Sequence, residues 1–166
     1  NLDEVLSDLR GRDALLSTAH FGCWEYDSFL ALYTGEHYLA AVYHPLENKV
    51  IDAVYMRVRR RGNIRLIPMK EIIRYYIDHR LPAGAPGQRI GIGLIAGQNP
   101  PPRPNSHWFR FLNQDTVFFD AIEKMALKFH MPVYFCRQRR LRRGYYELEF
   151  LRLYAGLGQV APNQVA

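Results

Sequence analysis

The sequence predicts an α/β domain built on a largely parallel sheet with flanking helices, and three observations carry that expectation. Short apolar runs alternate with stretches whose apolar residues recur every three or four positions, the pattern of strands separated by amphipathic helices. The alternation persists until two neighbouring strand-like runs near the end of the chain, with no internal repeat and no linker. A length of 166 residues suits a single domain that buries about two-thirds of its unfolded surface.

The elements follow in order. Leu2, Val5, Leu6 and Leu9 share one face of an opening helix. Ala14-Leu-Leu-Ser-Thr-Ala19 reads as a buried strand ending at His20. A helix follows over 23–33, with Gly35 as its stop. The run from His37 to Tyr43 is a second strand. Asn48 can cap the next helix, whose inward face carries Ile51, Val54, Tyr55 and Val58, with Gly62 beyond its end. A short strand from Ile64 to Ile67 precedes a helix over 70–80 that faces inward through Ile73 and Ile77. After a loop over 82–87 comes a glycine-rich strand from Arg89 to Ala96, apolar at alternate positions. The segment 97–114, containing Pro100-Pro-Pro-Arg-Pro104, is irregular, and a helix over 116–130 is capped by Asp115 or Thr116. Strands over 132–138 and 145–151 flank a basic turn, and little periodic pattern follows them. Parallel sheets bind ligands at the carboxyl ends of their strands. His20 and Gln98 both lie at such ends.

The composition is globular, with 48% hydrophobic and 23% charged residues. A net charge of +6 suits nucleic acid, anionic lipid or an acidic protein as partner, or simply a basic surface. Arg57, Arg59, Arg60, Arg61 and Arg65 form one basic cluster, and Arg137, Arg139, Arg140, Arg142 and Arg143 another. Such clusters suit lipid phosphates, anionic headgroups or an acidic protein, or mark a solvated helix end and hairpin turn. No recognised nucleic-acid motif accompanies them. Cys23 and Cys136 have no paired spacing, which excludes a disulfide framework or zinc site and fits a reducing compartment. No apolar run approaches the ~18 residues that span a bilayer, and no signal peptide is visible. The chain starts without Met and inside a helical pattern, so the expectation is one domain of a longer protein, lacking an N-terminal membrane anchor.

The candidate site is Thr18-Ala-His-Phe-Gly-Cys-Trp-Glu25. Residues five apart on one helix point in different directions, so His20 and Glu25 meet only if His20 precedes the helix and the chain turns at Gly22. The imidazole can then take a proton while the carboxylate fixes its tautomer. Free N–H groups at the helix start, near Gly22 to Trp24, can hold a developing oxyanion. A base, an orienting acid and an anion-friendly helix end together suit acyl transfer to a hydroxyl. The bland reading is a satisfied strand-end histidine and a solvated helix acid. Cys23 reads as a small packing residue rather than a nucleophile, and Phe109, Phe111, Phe118 and Phe119 read as core.

From Ala14 to about Phe150 the chain resembles the lipid A late acyltransferases, which add secondary lauroyl or myristoyl chains, within the glycerolipid acyltransferase superfamily. Ala19-His-Phe-Gly-Cys-Trp-Glu25 matches the family's His-x4-acid block, with Cys23 where Asn is common. Val42-Tyr-His-Pro-Leu-Glu-Asn48, with Asp52 and Arg57, matches its second block. Ile95-Ala-Gly-Gln98 lies where an Asp-Gln pair is usual, and Trp108-Phe-Arg-Phe-Leu-Asn-Gln-Asp-Thr116 matches the block after it. Met125-Ala126 and Pro132-Val133 match the next helix and strand, and the Leu-Asn-Gln-Asp-Thr and Arg-Gly-Tyr-Tyr-Glu wording is most similar to Bacteroidetes members. His44 stands for a frequent arginine and Gly97 for the usual Asp, departures that suit a different acceptor, a weakened enzyme or a divergent paralogue.

The resemblance implies a glycerolipid-acyltransferase-like fold and an O-acyltransferase. His20, oriented by Glu25, would deprotonate a hydroxyl of a lipid A precursor or related lipid. The alkoxide would attack the thioester of an acyl carrier protein directly, with no acyl-enzyme. Gly22, Trp24, His44, Asn48, Arg57 and Gln98 would bind substrate, Arg57 helping to hold the oxyanion. No metal or other cofactor is implied. The implied place is the cytoplasmic face of the bacterial inner membrane, with its anionic surface as a further partner and no role for nucleic acid. The alternatives are a non-catalytic lipid-binding relative and a basic nucleic-acid-binding module.

Overall fold

The computed structural model describes residues 1–157 apart from 36, 61–62 and 103–105. Gly62, Arg61, part of the proline-rich run and the tail beyond 157 therefore lie outside the described residues. Helix α1 (Leu2–Asp8) leads into β1 (Ala14–Ala19), a 3-10 helix (Trp24–Leu32) and β2 (His37–Tyr43). Helix α2 (Lys49–Arg59), β3 (Ile64–Pro68), α3 (Ile72–His79) and β4 (Arg89–Ala96) follow. A hairpin of β5 (Trp108–Phe111) and β6 (Gln114–Val117), then α4 (Ala121–Phe129), β7 (Val133–Arg142) and β8 (Tyr145–Tyr154) complete the chain.

The main sheet has the order β3-β2-β4-β1-β7-β8, parallel throughout except for β8. Right-handed crossovers put the 3-10 helix and α2 on one face and α3 and α4 on the other. The packing agrees. Ala31 of the 3-10 helix meets Leu39 and Ile64, while Ile72, Tyr76, Ile122 and Met125 meet Leu15, Ile90 and Ile92 across the sheet. Val5 and Leu9 of α1 close the first face against Ala14, Cys136 and Phe150. Strand β1 lies between β4 and β7 and is covered on both faces at its start, so the neighbours Ala14 and Leu15 are both buried, as is Ser17.

Five sequence expectations are corrected. The expected inner face of α2 points outward: Ile51, Val54, Tyr55 and Val58 are exposed, Val54 at 58%. The side of α2 toward the body carries Asp52, Met56 and Arg59 instead, all half-buried. Two polar contacts fix that rotation, Asp52 accepting from the Leu46 N–H at 2.9 Å and Arg59 pairing with Glu25. Helix α3 is turned by one residue, with Ile72 and Tyr76 buried and Ile73 and Ile77 exposed. The last third of 97–114 begins a hairpin, so the following helix starts at Ala121 and not at 116. Every residue of β5 is exposed, so Phe109 and Phe111 are not core, and neither is exposed Phe119. Strand β7 is also longer than expected. It pairs with β1 only over Val133–Phe135, so its outer half pairs with β8 alone and runs past the end of β1 as a two-stranded ribbon.

Candidate active site

The carboxyl ends of β1 and β4 lie side by side, with Ala19 level with Ala96. His20 therefore stands beside Gly97 and Gln98, all three exposed. The Nδ1 of His20 is 3.1 Å from the Ala96 carbonyl oxygen. A carbonyl only accepts, so Nδ1 carries the proton and Nε2 keeps a free lone pair. The ring also meets Trp24 edge-on, with centroids 5.3 Å apart.

A tight turn joins His20 to the 3-10 helix. The Phe21 N–H donates to the Ala19 carbonyl at 2.7 Å, and Gly22 has φ +60. A Cβ on Gly22 would lie 2.3 Å from the Gln138 Oε1 of β7, so that side-chain end would have to give way, and the left-handed backbone angle favours glycine in any case. That same oxygen accepts from the Cys23 N–H at 2.7 Å. One of the amides expected to face substrate is thus already satisfied within the protein, which corrects that part of the oxyanion expectation.

The 3-10 helix is long for its kind, and its three-residue period sorts its side chains into rows. Tyr26, Phe29 and Leu32 face solvent, while the intervening positions turn toward the sheet and α2. Glu25 does not meet His20. Its carboxylate is gripped by the Arg59 guanidinium, with Nε to Oε2 at 3.0 Å and Nη2 on Oε1. Arg59 in turn lies over the rings of Trp24 at 5.2 Å and Tyr55 at 5.1 Å. The physical reason is geometric: the backbone carbonyl across the strand pair reaches Nδ1, and the turn at Gly22 carries Glu25 toward α2. The group that orients the imidazole is therefore the Ala96 carbonyl, not Glu25.

Behind this pair lies a cavity of about 100 Å³ between the 3-10 helix, α2 and the sheet. Its walls are mostly apolar, with Leu39, Val42, Ile64, Leu66 and Ile95, and Gly93 contributes only backbone to them. Trp24, Glu25 and Arg59 also line it. Asp27 is its half-buried acid. Its Oδ2 accepts from the Thr18 hydroxyl at 2.8 Å, and its Oδ1 is buried without a partner. Burial pushes the Asp27 carboxyl above the usual range, and the Thr18 hydrogen bond opposes this. Burial, then the Asp27 charge, raises the Cys136 thiol to about 12, so this cysteine is not a nucleophile at neutral pH.

A larger cleft of about 1030 Å³ opens at the carboxyl ends of β2 and β3, bounded by His44, Met69, Lys70, Phe118 and Lys124 among others. His20 lines neither space. His44 faces the cleft with Nδ1 3.0 Å from the Pro45 carbonyl. Asn48 caps α2 as expected, its Oδ1 accepting from the N–H groups of Val50 and Ile51, so that oxygen is taken up within the protein. Arg57 is exposed and away from His20 on the outer side of α2, and the cation of the site is Arg59, two residues on. A Cβ on Gly97 would sit 3.9 Å from both the Ala19 Cβ and the His20 amide, so space exists there and φ +93 alone favours glycine. Among the described residues no group of three or more His, Cys, Asp or Glu gathers as a metal site. Sequence reasoning missed Asp27, Gln138 and the Ala96 carbonyl. Only the sheet's pairing brings the last two to the motif, and no local pattern announces them.

The model of the family described as bacterial lipid A biosynthesis acyltransferase matches residues 1–152. This chain belongs to that family. A comparison with curated proteins found no match. Membership makes the chain an O-acyltransferase of the lipid A type, a family associated with the inner membrane. The observed α/β fold with its largely parallel sheet agrees with that assignment. Among the described residues of this lipid A acyltransferase, no helix is long and apolar enough to cross a membrane.

Proposed function

We propose that this lipid A-type acyltransferase moves a fatty acyl chain from an acyl carrier protein thioester to a hydroxyl of a lipid A precursor or related lipid, with His20 as general base. The observation that carries this reading is the His20 Nδ1–H donated to the Ala96 carbonyl, which leaves Nε2 basic and open at the exposed strand end. Nε2 takes the proton of the acceptor hydroxyl as its oxygen attacks the thioester carbonyl. A tetrahedral intermediate forms, the C–S bond breaks, and the leaving thiolate recovers the proton from the imidazolium. The apolar cavity beside Trp24, at about 100 Å³, gives a few methylenes of a fatty chain a place out of water. The Trp24 N–H, which opens the 3-10 helix, serves as an oxyanion donor in this scheme. Arg59, held by Glu25, presents guanidinium donors in the cavity wall, its charge offset by the Glu25 carboxylate.

The test is transfer from acyl-loaded carrier protein to a tetra-acylated lipid A precursor, followed by mass spectrometry. His20→Ala should lower the rate by about 10²–10⁴-fold while circular dichroism stays unchanged, because an exposed strand-end side chain contributes little to the core. Retention of wild-type activity would sink the assignment. A second reading, a lipid-binding relative without turnover, draws on Gly97 and His44 where the family favours Asp and Arg. It is supported if the intact protein binds the acceptor but leaves both substrates unchanged.

A further inference from the structure

We propose that the carboxyl edge of the sheet docks on an anionic bilayer, the β5–β6 hairpin tip entering the headgroup boundary and the β7–β8 turn resting on lipid phosphates. Both features stand on one edge. The first hairpin follows the carboxyl end of β4, and Phe118 and Phe119 beyond it share the large cleft with the ends of β2 and β3. Strand β7 is parallel to β1, so its turn with β8 lies at the edge that carries His20.

The hairpin tip is costly to the folded chain alone. Leu112 and Asn113 both take left-handed backbone angles, φ 49 and 62. Two-residue hairpin turns of that kind favour Asn, Asp or Gly. A leucine is poorly suited there, and this one is 79% exposed and buries nothing. Phe111, next to the tip, is exposed, as is Trp108 at the other end of β5 opposite Val117, while Phe109 and Phe111 each rest edge-on against Phe118, rooting the hairpin in the body. An indole, a phenyl ring and a leucine on one short projection match the boundary between headgroups and chains, where tryptophan is enriched.

The second contact is electrostatic. Arg137 and Arg139 on β7 are matched by Glu149 and Glu147 on β8. Arg140, Arg142 and Arg143 have no acidic partner among the described residues, and Arg142 stacks on the exposed ring of Tyr145 at 3.7 Å. Arginines set beside exposed Leu141 and Tyr145 can lay their stems on apolar surface and send their charges to phosphates. The whole chain carries net charge +6, the sign that complements anionic lipid. Two separate projections, one apolar and one cationic, suit a deformable bilayer better than a protein, which would need a continuous complementary face. The exposed apolar side of α2 starts near this edge but runs back from it along a sheet face, so Val54 at its middle serves as the control.

Docking on this edge would bring a membrane-borne acceptor to His20, and in that sense it rests on the acyl-transfer reading, but vesicle binding tests it without transfer. The whole chain is titrated with vesicles of phosphatidylglycerol and phosphatidylethanolamine, and with vesicles of phosphatidylcholine alone. Tighter binding to the anionic vesicles is expected, with quenching of tryptophan emission by lipids brominated on the chains that disappears in Trp108→Phe. Each arginine near an anionic surface is worth a factor of about five, so R140A, R142A and R143A together should weaken binding by on the order of a hundredfold. Leu112→Asp should weaken it at least tenfold with unchanged circular dichroism, while Val54→Asp and His20→Ala bind as the wild type does. Equal affinity for both vesicle types would overturn the proposal. So would a loss on Val54→Asp with none on Leu112→Asp. If the edge variants keep vesicle affinity but lose retention on immobilised acyl carrier protein, the edge is a protein-docking surface and the proposal falls. Vesicle binding by a chain that never transfers would leave docking standing and remove the acyl-transfer reading.

Discussion

Arg59 and Arg57 differ by two residues and by nearly half a helical turn, and that difference separates a site residue from a solvated one. The consequence is measurable. If Glu25 acted by orienting His20, Arg59 could be changed with little effect on the rate. In the observed geometry Glu25 and Arg59 form one unit at the cavity mouth. Glu25→Gln and Arg59→Met should each lower acyl transfer by a similar factor, on the order of tenfold, and the double variant should be no worse than either. Additive losses would return Glu25 to a separate role. Gly22 offers a second test. Gly22→Ala forces a Cβ into the Gln138 side chain and into a left-handed backbone angle, and should cost about 1–3 kcal/mol in denaturant unfolding. Gln138→Ala in the same chain should recover only the steric part. The glycine was legible in the sequence as a turn. Its neighbour Gln138 was not, because 115 residues separate it from Cys23.

Elements were legible where their rule is local. Asn48 was readable as a cap because a side-chain oxygen needs only the next few amides, and the structure shows it accepting from two of them. Asn48→Ala should therefore cost about 1 kcal/mol, seen as a fall in Tm of a few degrees, with acyl transfer near wild type at permissive temperature. Loss of transfer without loss of stability would instead return Asn48 to substrate binding. Helix α2 shows the limit of such rules. Its apolar stripe predicts burial, yet contacts at its two ends, Asp52 to the Leu46 amide and Arg59 to Glu25, turn that stripe outward. Helix α3 misses by one position because Ile72, Ile73, Tyr76 and Ile77 offer two adjacent apolar faces, and only the sheet chooses between them. The hairpin β5–β6 was illegible for another reason. Its turn lacks glycine, and its aromatics resemble a buried run until their exposure is seen.

On the scale of the whole molecule, alternation of strands and helices suffices to predict a parallel sheet, but the order β3-β2-β4-β1-β7-β8 decides which residues meet. It puts β4 beside β1, giving His20 its carbonyl, and β7 on the other side, giving the turn its Gln138. It also half-buries Asp27, on the sheet-facing side of the 3-10 helix, and that burial ties the fold to pH. Asp8, by contrast, is held below the usual carboxyl range, first by the Tyr134 hydroxyl and then by Arg152, against some desolvation. The stability Asp8 contributes is present above its unfolded value of 3.8 and is lost as pH falls through its lower folded value. Asp27 has the opposite sign. Burial raises its folded pKa, so its contribution is present below 3.8 and is lost as pH rises through the higher folded value. Wherever the folded Asp27 is charged it is a liability, with one oxygen buried and unpartnered among the described residues. Asp27→Asn keeps an acceptor for Thr18 and removes the charge, so its Tm should exceed the wild type's at pH 7. That advantage should shrink as pH falls and vanish below 3.8, where both side chains are neutral. A Tm difference that stays constant from pH 7 to pH 3.5 would show that Asp27 is neutral throughout or that the gain arises from packing.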